Sequence, residues 1–246
     1  NNNMAVHKVV KWPKIFLFGD SITQFCFSGE GCWGALLADH FQRRADVVAR
    51  GFSGYNTRDC RALLPHVVSD LKDVVGATVF LGANDASEMI NRQQYVPLQD
   101  YVQNLKDIVA HFQKFGVDPI VITPPALDGE AWQRNCAESG RLYTKNEELT
   151  AKYAQACSNT ANDLKVPCLD LHTAMINQED WQGLLCDGLH LSRRGSELLA
   201  SLLVPALEKQ LEKRLPSQLL LPLWDELDAE DPSKSFTEWC NNNRIT

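Results

Sequence analysis

The sequence predicts an α/β protein: a single domain of three layers, α/β/α, around a central, mostly parallel five-stranded sheet. Two observations carry this prediction. Short apolar runs suited to buried strands alternate with stretches whose apolar residues recur at helical spacing, as right-handed strand–helix–strand crossovers require. Several strand exits also carry loops rich in Gly, Asp and Asn, at the edge where open parallel sheets keep their reactive groups.

Strands are expected at residues 15–18, 46–49, 78–81, 120–123 and 166–171. The first ends at Gly19, which permits a sharp turn, and Trp33, Leu36, Leu37 and Phe41 mark the next helix. The clearest helix follows Pro97, where Leu98, Tyr101, Val102, Leu105, Ile108, Val109 and Phe112 form one stripe and Gly116 supplies a stop. Leu142, Leu149, Tyr153 and Leu164 mark a long helix before the fifth strand. The last begins after Ser192, an N-cap residue type, and runs through Leu198, Leu199, Leu202 and Leu203 toward Leu211, with Pro205 as a place for a kink.

These elements divide the chain into an N-terminal segment (1–13), a domain (14–214) and a tail (215–246) expected to pack on the domain. Asn1 to Asn3 precede Met4 and read as a remnant ahead of the native start. In the tail, Leu219, Leu220, Leu221, Leu223 and Trp224 read as an apolar strap over the core, followed by a solvated acidic stretch at 225–231.

A chain of 246 residues with 44% hydrophobic content affords a packed core without staples. A formal net charge of -7 and no clustered Lys or Arg argue against nucleic acid or an anionic membrane as partner. The 8 cysteines lack close-paired spacing and several fall at core-like positions, which reads as free thiols in a reducing, cytoplasmic setting. No apolar run suits a secretory leader or a membrane span. Homodimerisation stays open.

Three strand exits present the loops Gly19-Asp20-Ser21, Gly51-Phe52-Ser53-Gly54-Tyr55-Asn56 and Gly82-Ala83-Asn84-Asp85, each about one βαβ unit from the next. Consecutive parallel strands bring them to one edge of the sheet. Acyl transfer needs donors aimed at the oxygen that becomes negative, and the N–H groups of Ser21 and Gly54 with the Asn84 amide would supply three. Downstream, Asp187-Gly188-Leu189-His190 places a carboxylate beside an imidazole. Asp187 would hold Nδ1–H and leave Nε2 to take the proton of Ser21. Each motif alone also fits a plain turn, and the set is what carries the reading. Among the other histidines, His40, His66 and His111 sit in helical patterns and His7 precedes the first strand. His172, after the fifth strand, is the rival base and a candidate for the pocket wall. Phe25, Cys26, Phe27, Pro124 and Pro125 are further pocket candidates that could equally be packing.

Taken in order, Phe18-Gly19-Asp20-Ser21-Ile22-Thr23, Gly54, Gly82-Ala83-Asn84-Asp85 and Asp187-Gly188-Leu189-His190 resemble the blocks of the SGNH, or GDSL, hydrolases. Residues 19–24 and 50–57, and Ser192 close behind His190, resemble the isoamyl acetate-hydrolysing esterase branch, over roughly 15–211. The resemblance implies a flavodoxin-like fold and a cofactor-free serine esterase acting on small, short-acyl (acetate-type) esters. Ser21 would be the nucleophile, Ser21, Gly54 and Asn84 the oxyanion hole, and Asp187 and His190 the rest of the triad. An O-acetyl carbohydrate deacetylase or lipid esterase would use the same machinery. A different class, a Mg²⁺-dependent or phosphate-binding module built on Asp20, Asp85 and Asp187, leaves His190 and Asn84 without roles and lacks G-x-x-x-x-G-K-[ST]. An inactive binding protein with the same constellation is the third reading.

Overall fold

The computed structural model describes residues 10–67 and 71–242; the stretch Asn1 to Met4 and His7 lie outside the described residues. The elements run β1 (Lys14–Gly19), α1 (Ser21–Gln24), α2 (Trp33–His40), β2 (Asp46–Gly51), α3 (Thr57–Leu63), β3 (Val74–Phe80), α4 (Leu98–Lys114), β4 (Asp118–Ile122), α5 (Gly129–Glu138), α6 (Glu147–Leu164), β5 (Cys168–Leu169), α7 (Leu171–Ile176), α8 (Arg193–Gln210) and α9 (Pro232–Asn242). All five strands are parallel, in the order β2-β1-β3-β4-β5. The order reverses beside β1, so the crevice between the ends of β1 and β3 is the switch point of the sheet.

β1 shows why its sequence is apolar throughout rather than alternating. Ile15 and Leu17 join the core beneath α2 and α8, while Phe16 and Phe18 face the core beneath α3, α4 and α6. A strand covered on both faces has no polar side. The α4 stripe packs as its periodicity predicts, with Tyr101, Leu105, Ile108, Val109 and Phe112 buried.

Several boundaries differ from the sequence reading. β3 begins four residues earlier, at Val74, where Val74 and Gly76 pair with Lys14 and Ile15 of β1. β5 shrinks to two residues: it is an edge strand, Pro167 has no N–H to donate, and the Asp170 side chain caps α7 at once. The long helix expected from Leu142 is α6, which begins only at Glu147 behind its Asn146 cap and leaves Leu142 exposed ahead of it; α5, capped by Asp128, is a further helix that the sequence reading did not assign. α8 is continuous through Pro205 and is capped by Ser192, whose Oγ accepts the Gly195 N–H.

The tail is fastened to the turn after α2. Arg43 donates to the carbonyls of Leu220, Leu221 and Pro222, Arg44 to that of Pro216, and Leu215 and Leu220 are buried. Of the residues expected in the strap only Leu220 is buried: Leu221 is half-buried, and Leu219, Leu223 and Trp224 are exposed, Trp224 at 86%. All eight cysteines are free. No helix among the described residues is long and apolar enough to cross a membrane.

Candidate active site

The loop after β1 is built around two carboxyl and hydroxyl groups. Asp20 caps α1, its Oδ1 accepting the Ile22 N–H at 3.0 Å, and this sets Ser21 as the first helical residue. Gly19 serves the loop by its size rather than by a left-handed backbone: a Cβ there would collide with the Thr23 side chain and the Phe80 carbonyl. Gly54, at the exit of β2, does need its glycine for its backbone, with φ +83°, although a Cβ there would meet only Gln94 Nε2 at ordinary contact distance.

The loop between α7 and α8 supplies the opposite wall. Asp187 Oδ1 accepts the backbone N–H groups of Leu189 (3.0 Å) and His190 (2.8 Å), and its Oδ2 lies 2.7 Å from His190 Nδ1. His190 Nε2 lies 2.9 Å from Ser21 Oγ. Burial pushes the Asp187 carboxyl up, but His190 and the two N–H groups together outweigh it and hold it below the ordinary range. A carboxylate only accepts, so Nδ1 carries the ring proton and Nε2 is left bare toward the serine hydroxyl. The rings of Trp132 and Phe25 stand edge-on to the imidazole at 5.9 and 6.2 Å and limit its rotation.

The third loop fixes Asn84. Its Nδ2 donates to the Tyr55 carbonyl (2.8 Å) and its Oδ1 accepts from Gln94 Nε2 (3.1 Å), so the amide cannot flip and one N–H remains for a ligand. The N–H groups of Ser21 and Gly54 take no protein acceptor among the described residues. Ser21, Gly54, Asn84 and His190 all line one open cavity of about 940 Å³, together with Tyr55, Gln94, Trp132 and Lys145.

Beneath the cavity lie buried charges. Burial raises Asp85 to about 7 against the donors of Thr57, whose N–H and hydroxyl both reach it, and raises Asp20 to about 6. Burial lowers Lys145 to about 8 while its Nζ donates to the Ala83 carbonyl (2.6 Å) and Ser87 Oγ (2.8 Å). Asp20, Asp85 and Asp187 thus each serve a different neighbour. No group of three or more His, Cys, Asp or Glu among the described residues is arranged to hold a metal.

Because Asp20 and Asp85 titrate above their unfolded values, the folded chain holds more protons than the unfolded chain between about pH 4 and 7. Stability from these two groups is present at low pH and is lost as pH rises through that window. Thr57→Val removes one donor to the Asp85 carboxylate and also unpairs Asn104 Nδ2. It is expected to destabilise by about 1.5–3 kcal/mol at pH 8 and by less at pH 5, where Asp85 is protonated. Urea unfolding at the two pH values measures the difference, and an equal loss at both would contradict the charge assignment.

The other pocket candidates scatter. Phe25 lines a smaller recess of about 190 Å³ that shares His190. Cys26 is fully buried against Gly34, Pro124 packs on Gly82, and Pro125 is buried with it; none of the three reaches the cavity. Phe27 is half exposed but faces neither space. His172 is absent from both walls: it opens α7, its N–H donates to Thr123 Oγ1, and burial lowers its pKa. The strand before it lies three places from β1, about 14 Å across the sheet. Residues missed in the sequence include Trp132, Gln94, Lys145 and Arg141. Asp128-Gly129-Glu130 is a readable helix start that would have exposed α5 and, with it, Trp132.

A hydroxyl, imidazole and carboxylate in line at the switch point of a parallel three-layer sheet is the arrangement found in hydrolases that transfer acyl groups. The chain belongs to the GDSL-like lipase/acylhydrolase family, whose profile matches residues 17–198, and it is a carboxylic ester hydrolase. It is 41% identical to the human isoamyl acetate-hydrolyzing esterase 1 homolog over 92% of both chains. It is 33% identical to the Saccharomyces cerevisiae isoamyl acetate-hydrolyzing esterase, covering 92% of this chain and 98% of the relative. Among solved structures, a lipase/acylhydrolase from Enterococcus faecalis superposes with TM-score 0.66 at 25% identity, over 84% of this chain and 98% of that one. An acetyl-xylooligosaccharide esterase from Geobacillus, at 20% identity and TM-score 0.62 over 81% and 95% of the two chains, shares the fold.

Proposed function

We propose that this protein hydrolyses small, short-acyl carboxylic esters through a Ser21 acyl-enzyme. The observation that carries the reading is the unbroken line from Ser21 Oγ to His190 to Asp187. Ser21 Oγ attacks the ester carbonyl carbon while Nε2 takes its proton, and the carbonyl π electrons move onto oxygen. The N–H groups of Ser21 and Gly54 and the remaining Asn84 N–H receive that oxyanion. Its collapse expels the alkoxide, which takes the proton from Nε2. Water then repeats the sequence on the acyl-enzyme and releases the acid.

Asn84→Ala is expected to lower kcat by roughly 10²–10³ with KM little changed, because the amide acts on charge that exists only in the transition state. A rise in KM at constant kcat would make Asn84 a ground-state contact instead.

Short acyl groups are favoured by what the cavity wall is made of. Ile90 and Leu142 give it a short apolar stretch, but Ser53, Asn91, Gln93, Gln94 and several cations line much of the rest, and an alkyl chain long enough to run past that stretch would strip water from groups it cannot bond. The relatives named for isoamyl acetate point to the same class. In a panel of ethyl esters, acetyl to butyryl substrates should give higher kcat/KM than octanoyl and longer ones. The reverse order would reject this substrate class and favour a lipid ester. A cytoplasmic setting fits the eight free thiols.

A further inference from the structure

We propose that the mouth of the cavity is a recognition site for an anionic group, so that the preferred esters carry a carboxylate or phosphate a few bonds beyond the scissile linkage. The inference rests on the ester-hydrolase reading above and adds the chemistry of the substrate's far end.

The chain has a formal net charge of -7, yet Arg58, Arg92, Arg141 and Lys145 all line this one cavity and Asp59 is its single carboxylate. Two of the four cations are already matched. Arg58 pairs with Asp59 and donates to the Gln93 carbonyl, and Lys145 is buried with Asp20 and Asp85 acting on it.

Arg92 and Arg141 are left over. Arg92 is exposed and makes no hydrogen bond or ion pair among the described residues. Arg141 is fixed in place by neutral groups only: it lies 4.9 Å over the Trp132 ring and donates to Ser139 Oγ and Asn135 Oδ1. Trp132 in turn stands edge-on to His190, so the held guanidinium and the imidazole both contact the same indole.

A guanidinium held without a counter-ion at a cavity mouth is preorganised for a carboxylate or phosphate, which it can bind through two parallel N–H bonds. Ile90 and Leu142, adjoining these arginines and largely exposed, give the linking methylenes an apolar wall. A neutral ester uses that wall and leaves both cations hydrated.

The test compares 4-acetoxybutanoate with 4-acetoxybutanamide, in which the charge is too far from the ester to alter the leaving group. The ratio of their kcat/KM values should be about tenfold in favour of the anion at an ionic strength near 0.01 M and should collapse toward one near 1 M. In the double variant Arg92→Gln, Arg141→Gln the ratio should be about one at low salt, and in Arg92→Lys, Arg141→Lys it should stay well above one. Taking a ratio cancels any change the variants make to the site as a whole. A ratio near one in the wild type, or one that persists in the double glutamine variant, would overturn the proposal. Failure of the serine reading would look different: amide-ester turnover surviving in Ser21→Ala, whatever the ratio.

Discussion

Ser21→Ala is expected to eliminate ester turnover and fluorophosphonate labelling together, with a fall in kcat of about 10⁶ by analogy with removal of a serine-protease nucleophile. The unfolding temperature should stay near the wild-type value. Both outcomes follow from where the hydroxyl sits. Ser21 Oγ bonds His190 Nε2 and no structural group, while the cap of α1 belongs to Asp20 and the helix entry is unaltered by the loss of one oxygen. Removing it leaves the donors of the oxyanion hole in place, so a weak residual rate above background is compatible with the reading. Substantial labelling in the variant would mean that another nucleophile reacts, and near-wild-type turnover would defeat the serine mechanism altogether.

The fold was legible because a doubly covered parallel sheet writes itself as apolar runs. Residues 15–18 could only be buried on both faces, and the α4 stripe could only be one side of a helix. The candidate site was legible in so far as its groups sit at strand exits within a few residues of a turn: Ser21 after β1, Gly54 after β2, Asn84 after β3. What could not be read is whatever works through side chains from distant loops. Gln94 orients Asn84 from a segment without regular structure, held there by Asn56 Nδ2 bonds to the carbonyls of Gln93 and Gln94. Lys145 reaches the carbonyl of Ala83 from 62 residues away. No periodicity marks such contacts. His172 misled for a related reason: being at a strand exit is not enough when the strand is the outer edge and the switch point is at β1.

Asp187→Asn is expected to lower kcat by about 10⁴ while leaving folding and substrate binding nearly intact. The two carboxylate oxygens have separate duties. Oδ1 accepts the N–H groups of Leu189 and His190, which shapes the loop, and Oδ2 faces His190 Nδ1. An asparagine can keep the first duty with its carbonyl oxygen, so the loop has no cause to open. It must then present NH₂ to the imidazole, and a donor there stabilises the tautomer with a bare Nδ1 and a proton on Nε2. Nε2 can then no longer accept from Ser21 Oγ, and the serine hydroxyl is left without a base. Asp187→Ala removes both duties and should add a loss of stability that the asparagine variant does not show. The comparison therefore separates a positioning carboxylate from a merely structural one. Equal kcat in Asp187→Asn and the wild type, or equal destabilisation in both variants, would show that the loop geometry and not the tautomer is what Asp187 supplies.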